Sequence, residues 1–480
     1  MTAHAGLKLS VVIPVYNERF LISELLRRVL AVSVPELSAL EVIVVDDGSK
    51  DGTREILRGL AADEPRLRYI EHERNQGKGA AIRTAIAAAG GDLIVFQDAD
   101  LEYDPRDLGR LVRPFVEDGA DVVYGSRFLP SERRRVLDYR HTLGNSFLTA
   151  LSNWFTDLHF TDMETCYKMF RASLLKSIPI RSNDFALEPE ITAKVAKRRC
   201  RIFEVPISYL GRTYREGKKI TWRDGFKALS AILHWWLIDD LYSEQVFEAH
   251  QLHNIERTRR ASEWMAETIR PRVGSRVLEM GAGIGVVTEA LIPRERYVAL
   301  EAEPNLVDYL RNGALGRPYL TVEQVPAEGG GAWFEAHAGA FDTVLCLHVL
   351  ENAADPVGVL RAARAALAPG GSVVLYVPQG PGLFSPLDEA LGHKRRYDRA
   401  MLAAQLDAAG LELRECTPFN RAGTLGWWLN GRLLRRQRIS RLQRKAFDVM
   451  VPLLRRLDRV LPLPGLGLVA VASAASAPRG

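Results

Sequence analysis

The residues of this 480-residue chain best suited to chemistry are carboxylates that close short apolar runs. Val45-Asp46-Asp47-Gly48-Ser49 closes one such run, and Gln97-Asp98-Ala99-Asp100-Leu101-Glu102 closes another. Alternate side chains of an extended segment share a side, so Asp98 and Asp100 project together and suit a shared divalent cation. A hard, oxygen-ligated ion neutralises charge on a diphosphate leaving group. Asp46 and Asp47 are placed to accept hydrogen bonds from a nucleobase or a ribose; taken alone, Asp47 reads equally well as the N-cap of the next helix. A lone D-x-D is more often a solvated turn, and here its weight comes from following an apolar strand and other acid-bearing strand ends. In the second half, Val277-Leu278-Glu279-Met280-Gly281-Ala282-Gly283-Ile284-Gly285 ends a strand in an acid followed by G-x-G-x-G. Those glycines let the backbone pass close beneath a ligand, and the acid can meet a cationic amino-acid moiety or a ribose. The spacing differs from the G-x-G-x-x-G of dinucleotide sites and fits a phosphate-free zwitterion better. Glu301, after the apolar run 297–300, is placed for two ribose hydroxyls.

These strand ends need sheets to hold them. Apolar runs at 10–15, 41–45, 93–96 and 122–124 alternate with helical stretches such as 20–31 and 77–89, the pattern of a layered βαβ sheet. A second series begins at Arg276, after a polar stretch at 244–260 that contains no Gly or Pro. The fold class expected is therefore α/β in two domains, residues 1–243 and 244–480, in keeping with a length beyond what one core usually supports. The halves share no fixed period, which excludes a repeat protein.

With 47% hydrophobic and 26% charged residues the composition is that of globular protein, which excludes a disordered chain. Cys166, Cys200, Cys346 and Cys416 form no C-x-x-C pair and match no zinc spacing, so they are expected as reduced core residues in a cytoplasmic protein. The N-terminus has no long apolar h-region of a signal peptide, and no run reaches the length of a membrane-spanning helix. The formal net charge is only +5, yet basic residues cluster at 133–135, 194–201, 212–219 and 432–456. No nucleic-acid reader motif accompanies these clusters, and nucleic acid is not expected as a partner.

The first half resembles the family-2 inverting glycosyltransferases of GT-A fold, and within them the polyprenyl-phosphate (dolichyl-phosphate-type) mannosyl- and glucosyltransferases. The resemblance spans about residues 9–229 and rests, in order, on Pro14-Val15-Tyr16-Asn17-Glu18, Asp46-Asp47-Gly48-Ser49, Asn75-Gln76-Gly77-Lys78-Gly79-Ala80, Asp98-Ala99-Asp100, Gly125-Ser126-Arg127, Thr161-Asp162-Met163-Glu164-Thr165 and Glu204-Val205-Pro206-Ile207-Ser208-Tyr209. It implies that Pro14, Tyr16, Glu18, Asp46 and Asp47 hold the nucleoside of a nucleotide sugar. It also implies that Asp98 and Asp100 carry Mg²⁺ or Mn²⁺ and that Arg127 meets phosphate. Glu102 departs from the Gln frequent in relatives; it either adds a third carboxylate to the ion or faces water.

The acceptor is read from charge. A hydroxyl needs a general base near its proton, whereas a lipid phosphate is already an anion and needs only positioning and counter-charge. The basic loop at 211–219 supplies that counter-charge, with Arg212, Lys218 and Lys219 as the expected phosphate ligands of a polyprenyl phosphate. Should the acceptor instead be a hydroxyl on a glycan, Asp162, Glu164, Glu188 and Glu190 are the available bases. Residues 222–242, with Trp235 beside Trp236, either lie in a membrane interface or pack on a domain.

The second half resembles class I methyltransferases over about residues 276–472, where the glycine motif is followed in the family's order by Phe341-Asp342-Thr343-Val344-Leu345-Cys346, Val349-Leu350-Glu351 and Leu367-Ala368-Pro369-Gly370-Gly371. The resemblance implies that Glu279, Gly281, Gly283, Gly285 and Glu301 bind S-adenosyl-L-methionine. Asn352 stands where many relatives have His, and the acid that usually meets adenine is missing or displaced to 323–328. His348, His393 and Asp388 are candidates for deprotonating a hydroxyl acceptor, against a structural role for each. The tail at 427–461 mixes seven basic residues between Arg432 and Lys445 with Leu433, Leu434, Ile439, Leu442, Phe447 and Met450. It reads as an amphipathic helix that adsorbs to an anionic membrane, or as an insertion packed on its own domain.

The expectation that follows is a bifunctional enzyme. It transfers a sugar with inversion from a UDP- or GDP-sugar to a polyprenyl phosphate or glycan, and it methylates an acceptor in the same pathway, with peripheral contact at the cytoplasmic membrane face. The alternatives are a glycosyltransferase whose second half is a non-catalytic binding or docking module, and a membrane scaffold without activity.

Overall fold

The computed structural model describes residues 6–130, 135, 139–211, 222–238, 240–243, 259–458 and 460–474. Two compact units result, residues 1–246 and 247–480. The boundary expected between 243 and 244 falls at the start of 244–258, which lie outside the described residues.

The first unit is built on a seven-stranded sheet of β1 (Leu7–Val15), β2 (Leu37–Asp46), β3 (Leu67–Glu71), β4 (Leu93–Phe96), β5 (Val122–Ser126), β6 (Lys168–Arg171) and β7 (Ile202–Pro206). Their spatial order is β3-β2-β1-β4-β6-β5-β7. Strands β1, β4 and β5 are buried on both faces through Val11-Val12-Ile13, Leu93-Ile94-Val95 and Val122-Val123-Tyr124, as parallel strands covered by helices must be. Only β6 runs against its neighbours β4 and β5. This polarity decides where the chemistry goes. The carboxyl ends of β1, β2, β4, β5 and β7 and the amino end of β6 all open on one edge of the sheet, the edge where open α/β sheets bind ligands. Every motif of the first half lies at a strand end on that edge or in the loop or helix start beside it.

The second unit has its own seven-stranded sheet: β8 (Arg276–Met280), β9 (Arg296–Glu301), β10 (Leu320–Gln324), β11 (Phe341–Leu347), β12 (Leu367–Pro378), β13 (Leu411–Phe419) and β14 (Gly467–Ala474), in the order β10-β9-β8-β11-β12-β14-β13. Strand β14 is antiparallel to both neighbours, and the other paired strands are parallel. One apolar layer, with Leu278, Val344 and Val373, covers one face of this sheet, and a second, with Val277, Tyr297 and Leu345, covers the other. The two α/β sheets agree with the fold class expected from the sequence.

One element differs. The basic tail read as a single amphipathic helix is two: Arg421–Trp427 runs into a π-helical turn Trp428–Leu433, Arg435 at φ 45° breaks the chain direction, and a second helix spans Arg441–Leu457. Ser440 and Gln443 form a reciprocal capping box that starts the second helix. Among the described residues, no helix is long and apolar enough to cross a membrane.

Candidate active sites

In the first unit the crevice begins with loops pinned to one another. The Asn17 amide donates to Ser49 Oγ at 2.9 Å, the Glu18 amide donates to Thr53 Oγ1 at 3.1 Å, and Asn17 itself sits at φ 54°. The loop after β1, carrying Tyr16 and Glu18, is thereby locked onto the loop after β2. Pro14 is half-buried and the Tyr16 ring is 40% exposed, open to a ligand.

The two adjacent aspartates have separate roles. Asp46 is fully buried; its Oδ2 accepts from the Ser49 amide at 3.1 Å and from Arg54 Nε at 3.0 Å, and its Oδ1 is buried with no partner. An orphaned carboxylate oxygen at a ligand edge fits a nucleoside N–H or O–H. Asp47 accepts from the Gln76 amide at 2.9 Å, the Gly77 amide at 2.7 Å and His72 Nδ1 at 2.8 Å. It does not cap the helix that follows it, which starts at Thr53 behind Gly52; it holds the turn that starts helix Lys78–Ala88. Gly77 at φ 97° cannot be replaced there, since a Cβ would lie 2.2 Å from the Asn183 carbonyl oxygen.

Asp98 and Asp100 are both partly exposed while Ala99 between them is buried, and they lie beyond the end of β4 at Phe96, where the chain has entered a turn. Leu101, at φ 60°, carries the kind of backbone strain that collects at functional sites. Asp98 already holds a cation, the Lys78 ammonium at 2.9 Å, and Lys78 also meets Glu188 at 3.2 Å. Burial alone would depress the Lys78 ammonium; the carboxylates of Asp98 and Glu188 outweigh it and hold the group well above its usual range. A carboxylate edge that binds an ammonium in this way has the charge and donor type for Mg²⁺ or Mn²⁺. The Asp100 carboxylate accepts from the Glu102 amide at 3.2 Å. Glu102 is buried, and its Oε2 accepts from the Tyr209 hydroxyl, so it does not face water. Among the described residues, no three His, Cys, Asp or Glu side chains gather as a metal cluster.

Arg127 and Asp162 form a buried bidentate pair, Nε to Oδ2 at 2.6 Å and Nη2 to Oδ1 at 2.7 Å, and Asn145 Nδ2 adds a contact at 3.2 Å. Burial would lower the guanidinium, but the Asp162 carboxylate raises it well above its ordinary value, so Arg127 is a permanent cation. Its guanidinium carbon lies 5.1 Å from the Tyr209 ring centre, which links it to Glu102. Burial and the nearby Glu188 carboxylate push Glu164 up to about 8. Glu190 accepts from the Arg181 and Ser182 amides and from Lys194. Arg212, Lys218 and Lys219 lie outside the described residues.

In the second unit Gly281, Gly283 and Gly285 have φ of 71°, 61° and 79°, so the motif's left-handed turns carry its curvature. A Cβ at Gly283 would meet nothing within 4 Å, which marks it as the open floor of the crevice. Glu301 accepts from the Gly283 amide at 2.7 Å and from the Ala302 amide at 2.8 Å, which fixes its carboxylate beside the turn. Glu279 is buried beneath the loop, accepting from Thr288 Oγ1 at 2.5 Å and the Tyr297 hydroxyl at 2.8 Å; burial pushes it up to about 7. The open floor, the fixed strand-end acid Glu301 and the buried carboxyl of Glu279 beneath the loop fit S-adenosyl-L-methionine.

Beyond β11, which neighbours β8, the chain makes a strained turn with His348 at φ 63°. His348 Nδ1 lies 3.0 Å from Glu351 Oε1, His393 Nε2 lies 4.0 Å from the same oxygen, and His393 Nδ1 lies 3.0 Å from Asp388, which also accepts from Arg396 Nε at 2.7 Å. Burial would raise Glu351, but the hydrogen bond and charge of His348 together with the charge of His393 outweigh it and hold the carboxyl below its usual range. The three candidates His348, His393 and Asp388 are thus brought together, with Glu351 between the imidazoles. Asp388 itself is a structural partner of the turn at Ser385, whose amide it accepts at 3.0 Å.

Lys78, His72 and Tyr209 have no role in the sequence reading. Lys78 carried a signal: a cation in the first turn of a helix opposes the helix dipole and needs an acid elsewhere to hold it there.

Residues 10–178 match the family model described as Glycosyl transferase family 2, and residues 248–430 match that described as Methyltransferase domain. The first half is similar to an undecaprenyl-phosphate 4-deoxy-4-formamido-L-arabinose transferase of Aeromonas hydrophila, at 34% identity over 37% of this chain and 56% of that protein. It is also similar to a UDP-N-acetylglucosamine–dolichyl-phosphate N-acetylglucosaminyltransferase of Methanococcus voltae, at 26% identity over 46% of this chain and 93% of that protein. The chain spans 33% to 62% of the length of three of the curated relatives it matches. Among solved structures, a glucosyl-3-phosphoglycerate synthase of Mycobacterium tuberculosis is similar at 23% identity and a TM-score of 0.39, over 49% of this chain and 82% of that one.

Proposed function

Because the chain joins a family 2 glycosyltransferase domain to a methyltransferase domain and is a transferase, we propose that the first unit moves a sugar, with inversion, from a UDP- or GDP-linked donor to a polyprenyl phosphate, and that the second methylates an acceptor of the same pathway. The carrying observation is the state of the four carboxylates that a hydroxyl acceptor would need as a base. Asp162 is bound on both oxygens by Arg127, burial and Glu188 push Glu164 toward its neutral form, Glu188 is paired with Lys78 through Oε1, and Glu190 is held by two amides and Lys194. A phosphate acceptor needs no base. The relatives named for undecaprenyl and dolichyl phosphates support the same reading.

In this assignment Asp46 receives the nucleoside, with Pro14, Tyr16 and Glu18 beside it. Asp47 acts one step back, by shaping the turn before Lys78. Asp98 and Asp100 hold Mg²⁺ or Mn²⁺, and an ion there supplies counter-charge for the diphosphate leaving group. Arg127 directs a fixed positive charge into the crevice, with Asp162 as its positioning residue, and Arg212, Lys218 and Lys219 are assigned to the acceptor phosphate. The test offers purified chain, a panel of nucleotide sugars and Mn²⁺ to polyprenyl phosphate and to the matching free polyprenol. Transfer to the phosphate alone is expected; comparable transfer to the free alcohol would sink the assignment.

In the second unit Glu279, Gly281, Gly283, Gly285 and Glu301 hold S-adenosyl-L-methionine, which supplies a methyl group on a sulfonium. The His348–Glu351–His393 ladder takes the proton of an acceptor hydroxyl: with Nδ1 aimed at Glu351, the imidazole proton sits there and Nε2 is the basic nitrogen. Glu279 gives a signature in binding alone. Below about pH 7 its carboxyl is protonated, and seating a cationic amino group requires that proton to leave. Calorimetric affinity for S-adenosyl-L-methionine should therefore rise about tenfold per pH unit up to neutrality and level off above it, with proton release on the acidic side. Glu279→Gln should bind weakly with a flat profile; an unchanged slope in that variant counts against the role.

A further inference from the structure

Residues 421–460 of the second unit hold eleven Lys and Arg against two Asp, a net of +9, whereas the whole chain carries +5; the other 440 residues are therefore net −4. The segment also exposes apolar side chains. Helix Arg441–Leu457 uses one face for packing, where Val451 is 3% exposed and Phe447 lies against the core layer that includes Trp264 and Met265. At 100° per residue, Val449, Met450, Leu453 and Leu457 form a second apolar face on the same helix, and Val449 and Leu453 are 58% and 57% exposed. Leu433 and Leu434, at 60% and 47%, expose further apolar surface in the π turn and just after it, between Arg432 and Arg435. A helix that satisfies its own domain with one face and keeps another apolar, bordered by basic residues, has the composition of an interfacial element.

We propose that this face is a membrane-docking surface for anionic lipid, with the leucines and Met450 seated at the acyl boundary and the arginines at the lipid phosphates. The charge asymmetry selects the occupant: a segment of net +9 on a chain otherwise net −4 complements anionic headgroups, and a nucleic-acid backbone would leave the apolar face uncovered. The inference stands apart from both catalytic assignments.

The test sediments the full-length chain with vesicles of phosphatidylcholine, alone or mixed with phosphatidylglycerol. Wild type is expected to bind the mixed vesicles and not the neutral ones, with binding weakened by salt. Replacing Arg432, Arg435 and Arg438 by Gln should lower the partition coefficient about 100-fold at low salt. A Leu433→Glu, Leu434→Glu, Leu453→Glu variant should lose at least about tenfold. All six positions are exposed, so an unchanged Tm and unchanged S-adenosyl-L-methionine binding verify the fold. Binding of either variant equal to wild type, equal binding to neutral vesicles, or lipid-free self-association that the leucine substitutions abolish would each overturn the proposal.

Discussion

Asp98→Asn is expected to reduce sugar transfer about 100- to 1000-fold while leaving the first unit folded. The side chain is 24% exposed and its partner Lys78 keeps a second carboxylate, Glu188, so the amide removes charge without orphaning the ammonium. In the proposed ion site Asp100 would then offer one carboxylate where two were available, and a divalent ion would lose much of its hold. The measurement is initial transfer rate against Mn²⁺ concentration, with thermal melting as the fold control. The expected profile is a kcat loss that added metal repairs only in part. Retention of transfer within tenfold at ordinary Mn²⁺ would remove Asp98 from the ion site and leave it as the counter-charge of Lys78.

Asp162→Ala should destabilise the first unit by about 3–5 kcal/mol, because it strands a buried guanidinium whose other neighbours among the described residues include Asn145 and the Tyr209 and Phe128 rings but no second carboxylate in contact. Exposure of the two side chains is 10% for Arg127 and 0% for Asp162, so screening by water offsets little of the cost. Removing both charges, as Arg127→Met with Asp162→Leu, should recover much of that stability and none of the transfer. Stability and catalysis are thus expected to separate, Asp162 acting on the fold through Arg127 and Arg127 on the proposed reaction. Denaturant unfolding of the whole chain, with the two units followed by separate probes, measures this. A single-site loss below about 1 kcal/mol would show that the pair is solvated in solution.

The amino-acid sequence by itself determined the two α/β sheets, because strands buried on both faces read as unbroken apolar runs. It also placed the carboxylates and glycines that end them, since a motif that follows a parallel strand can only lie at the ligand edge. The D-x-D at Asp98 and Asp100 is legible as a strand-end motif, and the G-x-G-x-G turn at Gly281, Gly283 and Gly285 follows from the residue type that adopts positive φ without strain. Partners were settled only by the tertiary structure. Lys78 meets Glu188, Arg127 meets Asp162, Glu102 meets Tyr209 and His393 approaches Glu351 across 35 to 110 residues of chain, where no local period applies. That is why Asp47, legible as a ligand or a helix cap, became the anchor of a turn 30 residues away, and why Asp162, legible as a base, became the support of Arg127. The same holds for helix Arg441–Leu457: its sequence shows that it is apolar on more than one side, but only packing through Val451 fixes which side is left for something outside the protein.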